Sequence, residues 1–164
     1  MIDDVKLIPL KTHLDERGFF REVLRVGDID QFGQWSHSMM YTGTIKAWHI
    51  HQEQVDYWYC PVGAIKAVVC DLRDEDDLLN QVFTGANPLL SRTKKWPFDR
   101  QEFILGDNQP AQVLVIPPGV AHGLKVLSGP AHLFYITSQV YNPDDEGRIP
   151  FDALGYDWFK QDIK

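Results

Sequence analysis

Apolar and polar positions along this chain alternate mostly with a period of two, and few stretches sustain the roughly 3.6-residue spacing of a helix. The pattern predicts strands at Val5 to Pro9, Phe19 to Leu24, Ser36 to Tyr41, Ile45 to His51, Tyr57 to Cys60, Ala64 to Leu72, Gln101 to Leu105, Gln112 to Ile116, His122 to Val126 and His132 to Ser138. Turn residues separate them: Gly27-Asp28, Gly43, Gly63, Gly106-Asp107-Asn108, Pro117-Pro118-Gly119, Ser128-Gly129-Pro130 and Asn142-Pro143-Asp144. Many short strands with frequent turns predict an all-β antiparallel sandwich or barrel. Short helices are expected at Ile29 to Trp35 and Ala153 to Phe159. The acidic run Asp74 to Asp77 opens a region, residues 74–100, that contains Asn87-Pro88 and Trp96-Pro97 and is expected to be an irregular surface insertion or lid.

The length of 164 residues suits one domain over 1–164. A hydrophobic content of 44%, with five Trp, six Tyr and nine Phe, excludes a disordered chain. The formal net charge of −7 argues against nucleic-acid binding, while a small anionic ligand needs only a few local cations. No apolar run approaches the ~18 residues of a membrane span, and the start, Met1-Ile2-Asp3-Asp4, is acidic where a secretory signal is basic. A cytoplasmic protein without membrane contact is expected. Cys60 and Cys70 lie in apolar runs and are expected as buried thiols.

The chemistry concentrates between Gly43 and Gly63. On a strand over Ile45 to His51, period-two geometry puts Ile45, Ala47, His49 and His51 on one face and Lys46, Trp48 and Ile50 on the other. Asp56 on the returning strand can reach the histidine face, and His122 follows the tight turn in Ile116-Pro-Pro-Gly-Val-Ala-His122. These spacings resemble the two motifs of the cupin superfamily: Gly43, His49, His51, Asp56 and Gly63, with Asp for the usual Glu, then Pro117, Gly119 and His122. The resemblance implies a β jelly roll with its ligand site in the mouth of the barrel.

A longer series extends the likeness. Asp15-Glu-Arg17-Gly-Phe-Phe20-Arg-Glu22, Lys46-Ala-Trp-His49, Cys70-Asp-Leu-Arg73, Ile116-Pro-Pro-Gly-Val-Ala-His122-Gly123, Tyr135-Ile-Thr-Ser-Gln-Val-Tyr141-Asn-Pro143, Arg148-Ile-Pro-Phe-Asp152 and Gly155-Tyr-Asp-Trp158 occur in the order seen in dTDP-4-dehydrorhamnose 3,5-epimerases. Epimerisation beside a ketone needs a base, a group that stabilises the enolate oxygen, and an acid on the opposite face. The resemblance implies His49 as base, Tyr141 as acid with Tyr135 as its substitute, and His122 as a hydrogen-bonding partner of the sugar or its keto oxygen. It also implies a homodimer, in which Arg17, Phe20 and Glu22 of a neighbouring subunit contact the nucleotide sugar, and Lys46, standing for an Arg, meets a phosphate.

Three positions depart from the family. Asp56 stands where a Lys lies near the keto oxygen, and His51 replaces a Gln. The chain ends six residues after Trp158, where the family continues to an Asp paired with the base; Asp162 is not in register to take that role. The resemblance implies no cofactor. The departures, however, complete a cupin-like set of His49, His51, Asp56 and His122 suited to Zn, Fe, Mn or Ni, and a metal there could polarise the ketone. A metal-dependent cupin enzyme acting on another small molecule, and a sugar-nucleotide binding protein without turnover, are the alternatives to epimerisation. At Arg17, an ion pair with Asp15 or Glu22 competes with a ligand role. Phe19 and Phe20 point to opposite sides of a strand, so at least one is expected in the core.

Overall fold

The computed structural model describes residues 2–85 and 98–160. Its elements, in chain order, are β1 (Lys6–Pro9), β2 (Thr12–Asp15), β3 (Gly18–Arg21), β4 (Gln34–Met40), β5 (Ile45–His51), β6 (Asp56–Asp71), α1 (Asp76–Phe83), β7 (Arg100–Gly106), β8 (Gln112–Ile116), β9 (Val120–Thr137) and β10 (Glu146–Arg148). Every pairing between these strands is antiparallel.

Two long strands organise the barrel. β6 and β9 pair from Asp56↔Thr137 to Asp71↔Val120, with register shifts between Tyr59 and Ile65. The first half of β9 and the second half of β6 form one layer with β5, β10 and β7. The opposite halves form a second layer with β4, β8 and β1. The turn signals at Gly63 and Ser128-Gly129-Pro130 are therefore bends within continuous strands, which fuse four predicted strands into two. At Gly63, φ is +72° and an added Cβ would lie 2.5 Å from the Ser128 carbonyl oxygen, so only glycine fits the bend. This is the antiparallel barrel expected from the alternation and the β jelly roll that the cupin resemblance implies.

One apolar cluster, including Trp58, Ile65, Val69, Leu114, Leu124 and Leu133, fills the barrel interior below the site. A second covers the outer face of the β5 layer, where Trp48, Ile50, Val68 and Cys70 pack against α1 and residues 149–158. That layer is buried on both sides, which allows apolar residues on one face of β5 and imidazoles on the other. Both cysteines are free and buried, and burial pushes each thiol up to about 11.

The short elements differ from expectation. Residues 29–33 form no helix: Gly33 N–H donates to the Thr137 carbonyl oxygen at the end of β9 at 2.8 Å, and β4 already begins at Gln34. Residues 153–159 form turns, because Leu154 and Gly155 take φ of +57° and +61°, which a right-handed helix cannot hold. Their apolar side chains still pack inward, so Leu154 and Trp158 mimic helical spacing. A helix does form in the region read as irregular. In α1, Asp76 and Asp77 occupy the first turn, where the helix dipole favours them, and Leu78 and Val82 are buried one turn apart. Asn87-Pro88 and Trp96-Pro97 lie outside the described residues. The β2–β3 hairpin forms a separate two-stranded sheet; β2 offers only Leu14 as an apolar residue and gave no strand signal. No helix among the described residues is long and apolar enough to cross a membrane.

Candidate functional site

A cavity of about 230 Å³ opens between the two layers. β5 contributes Lys46, His49 and His51, β9 contributes His122 and Tyr135, and β6 contributes Asp56 and Trp58. Tyr141 and Glu146 line the same space. The His49/His51 face separates from Trp48 and Ile50 as period two requires. Ahead of them, a register irregularity between Lys46 and His49 reverses the expected faces: Lys46 joins the histidines, while Ile45 and Ala47 pack on the outer cluster. The bulge thus brings a cation into the cavity. Lys46 Nζ donates to Ser38 Oγ at 2.8 Å.

His49 sits opposite His122 in the β5–β9 register and opposite Arg148 in the β5–β10 register. Its Nδ1 lies 3.8 Å from Glu146 Oε2. Burial lowers its pKa below the ordinary imidazole value; Glu146 opposes that shift, and Arg148 and His51 add to it. The ring remains accessible to the cavity and carries a base's lone pair at neutral pH.

His51, Asp56 and His122 are buried together. Gln54 Nε2 donates to Asp56 Oδ1 at 2.7 Å and lies 3.2 Å from His51 Nε2, and Trp58 Nε1 donates to Asp56 Oδ2 at 3.0 Å. His122 Nδ1 lies 3.0 Å from the Val120 carbonyl oxygen, which only accepts, so that nitrogen carries hydrogen. Burial pulls the His122 pKa down to about 4, so the ring is neutral and Nε2 is an acceptor. In this form His122 offers an acceptor, and no donor, through Nε2.

The ligand atoms of His51, Asp56 and His122 lie within 4.8 Å of one another, but His49 stands outside this group, facing Glu146. The four-residue metal set is thus not assembled. The remaining three do not fit a cation as arranged: the Gln54 amide N–H donors occupy the space between His51 and Asp56. Flipping that amide would set its oxygen against the Asp56 carboxylate.

Tyr135 and Tyr141 both line the cavity, Tyr141 largely exposed. Burial, reinforced by Asp56 and Glu146, pushes the Tyr135 pKa up and keeps it a phenol. Arg17, Phe20 and Glu22 do not reach the cavity of their own chain. Arg17 pairs with Asp15 at 2.6 Å, and Glu22 pairs with Arg25. Phe19 and Phe20 are both exposed, 63% and 64%, contrary to the expectation that one enters the core. The reason is that the hairpin is a two-stranded sheet of its own, tied to the barrel through Arg21 and Tyr59 and not through either Phe. Asp162 lies outside the described residues.

Gln54, Asp145 and Glu146 carry no motif, and Trp58, within the aromatic series Trp48, Tyr57, Trp58 and Tyr59, reads in the sequence as barrel packing. Asp145 accepts the backbone N–H groups of Gln52, Glu53 and Gln54 at 2.8–3.2 Å, which fixes the turn after His51. Glu146 begins a three-residue strand, too short to show alternation.

The model of the dTDP-4-dehydrorhamnose 3,5-epimerase family matches residues 1–164. Spore coat polysaccharide biosynthesis protein SpsL of Bacillus subtilis (strain 168) is 39% identical over 96% of this chain and 97% of its own. The dTDP-4-dehydrorhamnose 3,5-epimerase of Salmonella typhimurium is 31% identical over 96% of this chain and 82% of its own. Among solved structures, the dTDP-6-deoxy-D-glucose-3,5-epimerase from Legionella pneumophila Philadelphia 1, in complex with dTDP-4-keto-L-rhamnose, superposes with a TM-score of 0.73. It is 27% identical over 98% of this chain and 81% of that one. With the jelly roll and the histidine-lined cavity in place, these matches establish that the chain belongs to the dTDP-4-dehydrorhamnose 3,5-epimerase family, whose members are isomerases.

Proposed function

We propose that this family member epimerises a nucleotide-linked 4-keto-6-deoxy sugar at C3, C5 or both, as a cytoplasmic homodimer and without a metal. The observation that supports this best is His49: a neutral imidazole on the cavity wall, facing the space that Tyr135 and Tyr141 also line. His49 takes the proton from the carbon beside the ketone. The C–H electron pair becomes the enolate double bond and the carbonyl π pair moves onto oxygen. Tyr135, kept as a phenol, donates a hydrogen bond to that oxygen, as the neutral His122 cannot. Tyr141 returns a proton to the other face, and the configuration inverts. Solvent then reprotonates Tyr141 and deprotonates His49.

Lys46, a cation on the cavity wall, supports a contact with a phosphate of the nucleotide, and the neutral His122 supports acceptance from a sugar hydroxyl. The exposed hairpin, with Arg17, Phe20 and Glu22, supports a contact with the nucleotide sugar in a second subunit. Exposed Trp35, Met39 and Tyr41 on the outer face of the β4 edge supply apolar area for that association. Incubation with dTDP-4-keto-6-deoxyglucose, followed by proton NMR, tests the reading: inversion at C3 or C5 is expected. Saturable dTDP binding with no change at either carbon would instead assign a binding protein.

A further inference from the structure

Two consecutive carboxylates, Asp145 and Glu146, face two histidines of the neighbouring strand. Asp145 is committed to the backbone of Gln52, Glu53 and Gln54. Glu146 is not: Oε1 accepts from Arg148 Nε at 2.6 Å, and Oε2 is turned to His49 Nδ1 at 3.8 Å. Its side chain is only 12% exposed. The strand that carries it is held close, since an added Cβ on Gly147 would lie 2.5 Å from Val82 Cγ1 and 2.8 Å from Ile50 Cγ2. Trp48 and Ile149 exchange backbone hydrogen bonds at 2.9 and 3.0 Å just beyond it.

A neutral imidazole carries its hydrogen on one nitrogen, and the partner of that nitrogen decides which one. We propose that Glu146 is the positioning residue of His49: its Oε2 receives the Nδ1 hydrogen, fixes the ring, and leaves the Nε2 lone pair as the base. The separation of 3.8 Å exceeds a hydrogen bond, and such contacts in free enzymes tighten when substrate closes the site. Arg148 holds the other carboxylate oxygen and so sets the direction of the first. The inference rests on the reading of His49 as base.

The groups facing His49 are Glu146 and Arg148 on β10, His51 and Lys46 on β5, Asp56 on β6, His122 and Tyr135 on β9, and Tyr141 beyond it. Glu146 favours the imidazolium, and Arg148 disfavours it. Glu146→Gln keeps the shape and removes the charge. It is expected to slow solvent exchange of the sugar by about 10²-fold or more, with KM nearly unchanged, as for other bases deprived of an orienting carboxylate. The acidic limb of its kcat/KM profile moves to lower pH. Arg148→Gln moves the limb to higher pH and serves if Glu146→Gln does not fold. NMR titration of the His49 ring in the substrate-free variants reads the same opposed shifts without turnover. Opposed shifts with an inactive wild type would therefore overturn the epimerase reading and keep the pairing. A His49 titration that neither variant moves, whatever the loss of rate, overturns the role of Glu146.

Discussion

His122 rests its Nδ1 hydrogen on the Val120 carbonyl oxygen at 3.0 Å, which turns the Nε2 lone pair toward Asp56 Oδ2, 3.6 Å away. The ring is buried, and the fold favours its neutral form, with a pKa of about 4 against about 6.5 in the unfolded chain. The unfolded state thus binds more protons between these values. The stability from His122 is complete above about pH 6.5 and is lost progressively as the pH falls toward 4. His49, lowered in the same direction, adds to the loss. Urea midpoints for wild type should fall between about pH 7 and pH 5, and His122→Asn should flatten that difference. An unchanged difference in the variant would contradict the neutral assignment.

The Gln54 amide closes the space between His51 and Asp56. Chelator treatment should therefore leave the wild-type melting temperature and exchange rate unchanged. Gln54→Ala frees His51 Nε2 and Asp56 Oδ1 beside His122, and calorimetry with Zn²⁺ should then register binding that wild type lacks. Equal zinc binding by both proteins would contradict the fit argument.

Trp58 holds Asp56 through its indole nitrogen at 3.0 Å while its ring meets His122 edge-on at 5.3 Å. Trp58→Phe keeps an aromatic ring in the barrel and removes the donor to a buried carboxylate. A loss of about 1.5–3 kcal/mol is expected from equilibrium unfolding. A change within about 0.5 kcal/mol would mean that Asp56 finds another donor.

Much of this was legible because it depends on local patterns. Alternation is enough for an antiparallel barrel, the cupin-like motifs narrow it to a jelly roll, and the separation of His49 and His51 from Trp48 and Ile50 follows from period two alone. What failed was long-range or conformational. The bulge that brings Lys46 into the cavity is a register event between β5 and β9, invisible in a single strand. The positive φ of Leu154 broke a helix that its apolar spacing suggested. Phe19 and Phe20 misled because alternation assumes a strand with a core on one side, and the β2–β3 hairpin has none. The histidine motif named Asp56 and His122 correctly as neighbours of His51. It placed His49 with them as a ligand, although His49 lies outside that group and faces Glu146, nearly a hundred residues later.

The proposed epimerisation turns on abstraction of a carbon-bound proton by His49. Incubating dTDP-4-keto-6-deoxyglucose in D2O with wild type and with His49→Ala, and following C3 and C5 by NMR, tests it most directly. Wild type should incorporate deuterium at one or both carbons, with or without chelator, and His49→Ala should lose about 10²–10⁴-fold of that rate. Exchange at the wild-type rate in folded His49→Ala, or none at either carbon with wild type, would contradict it.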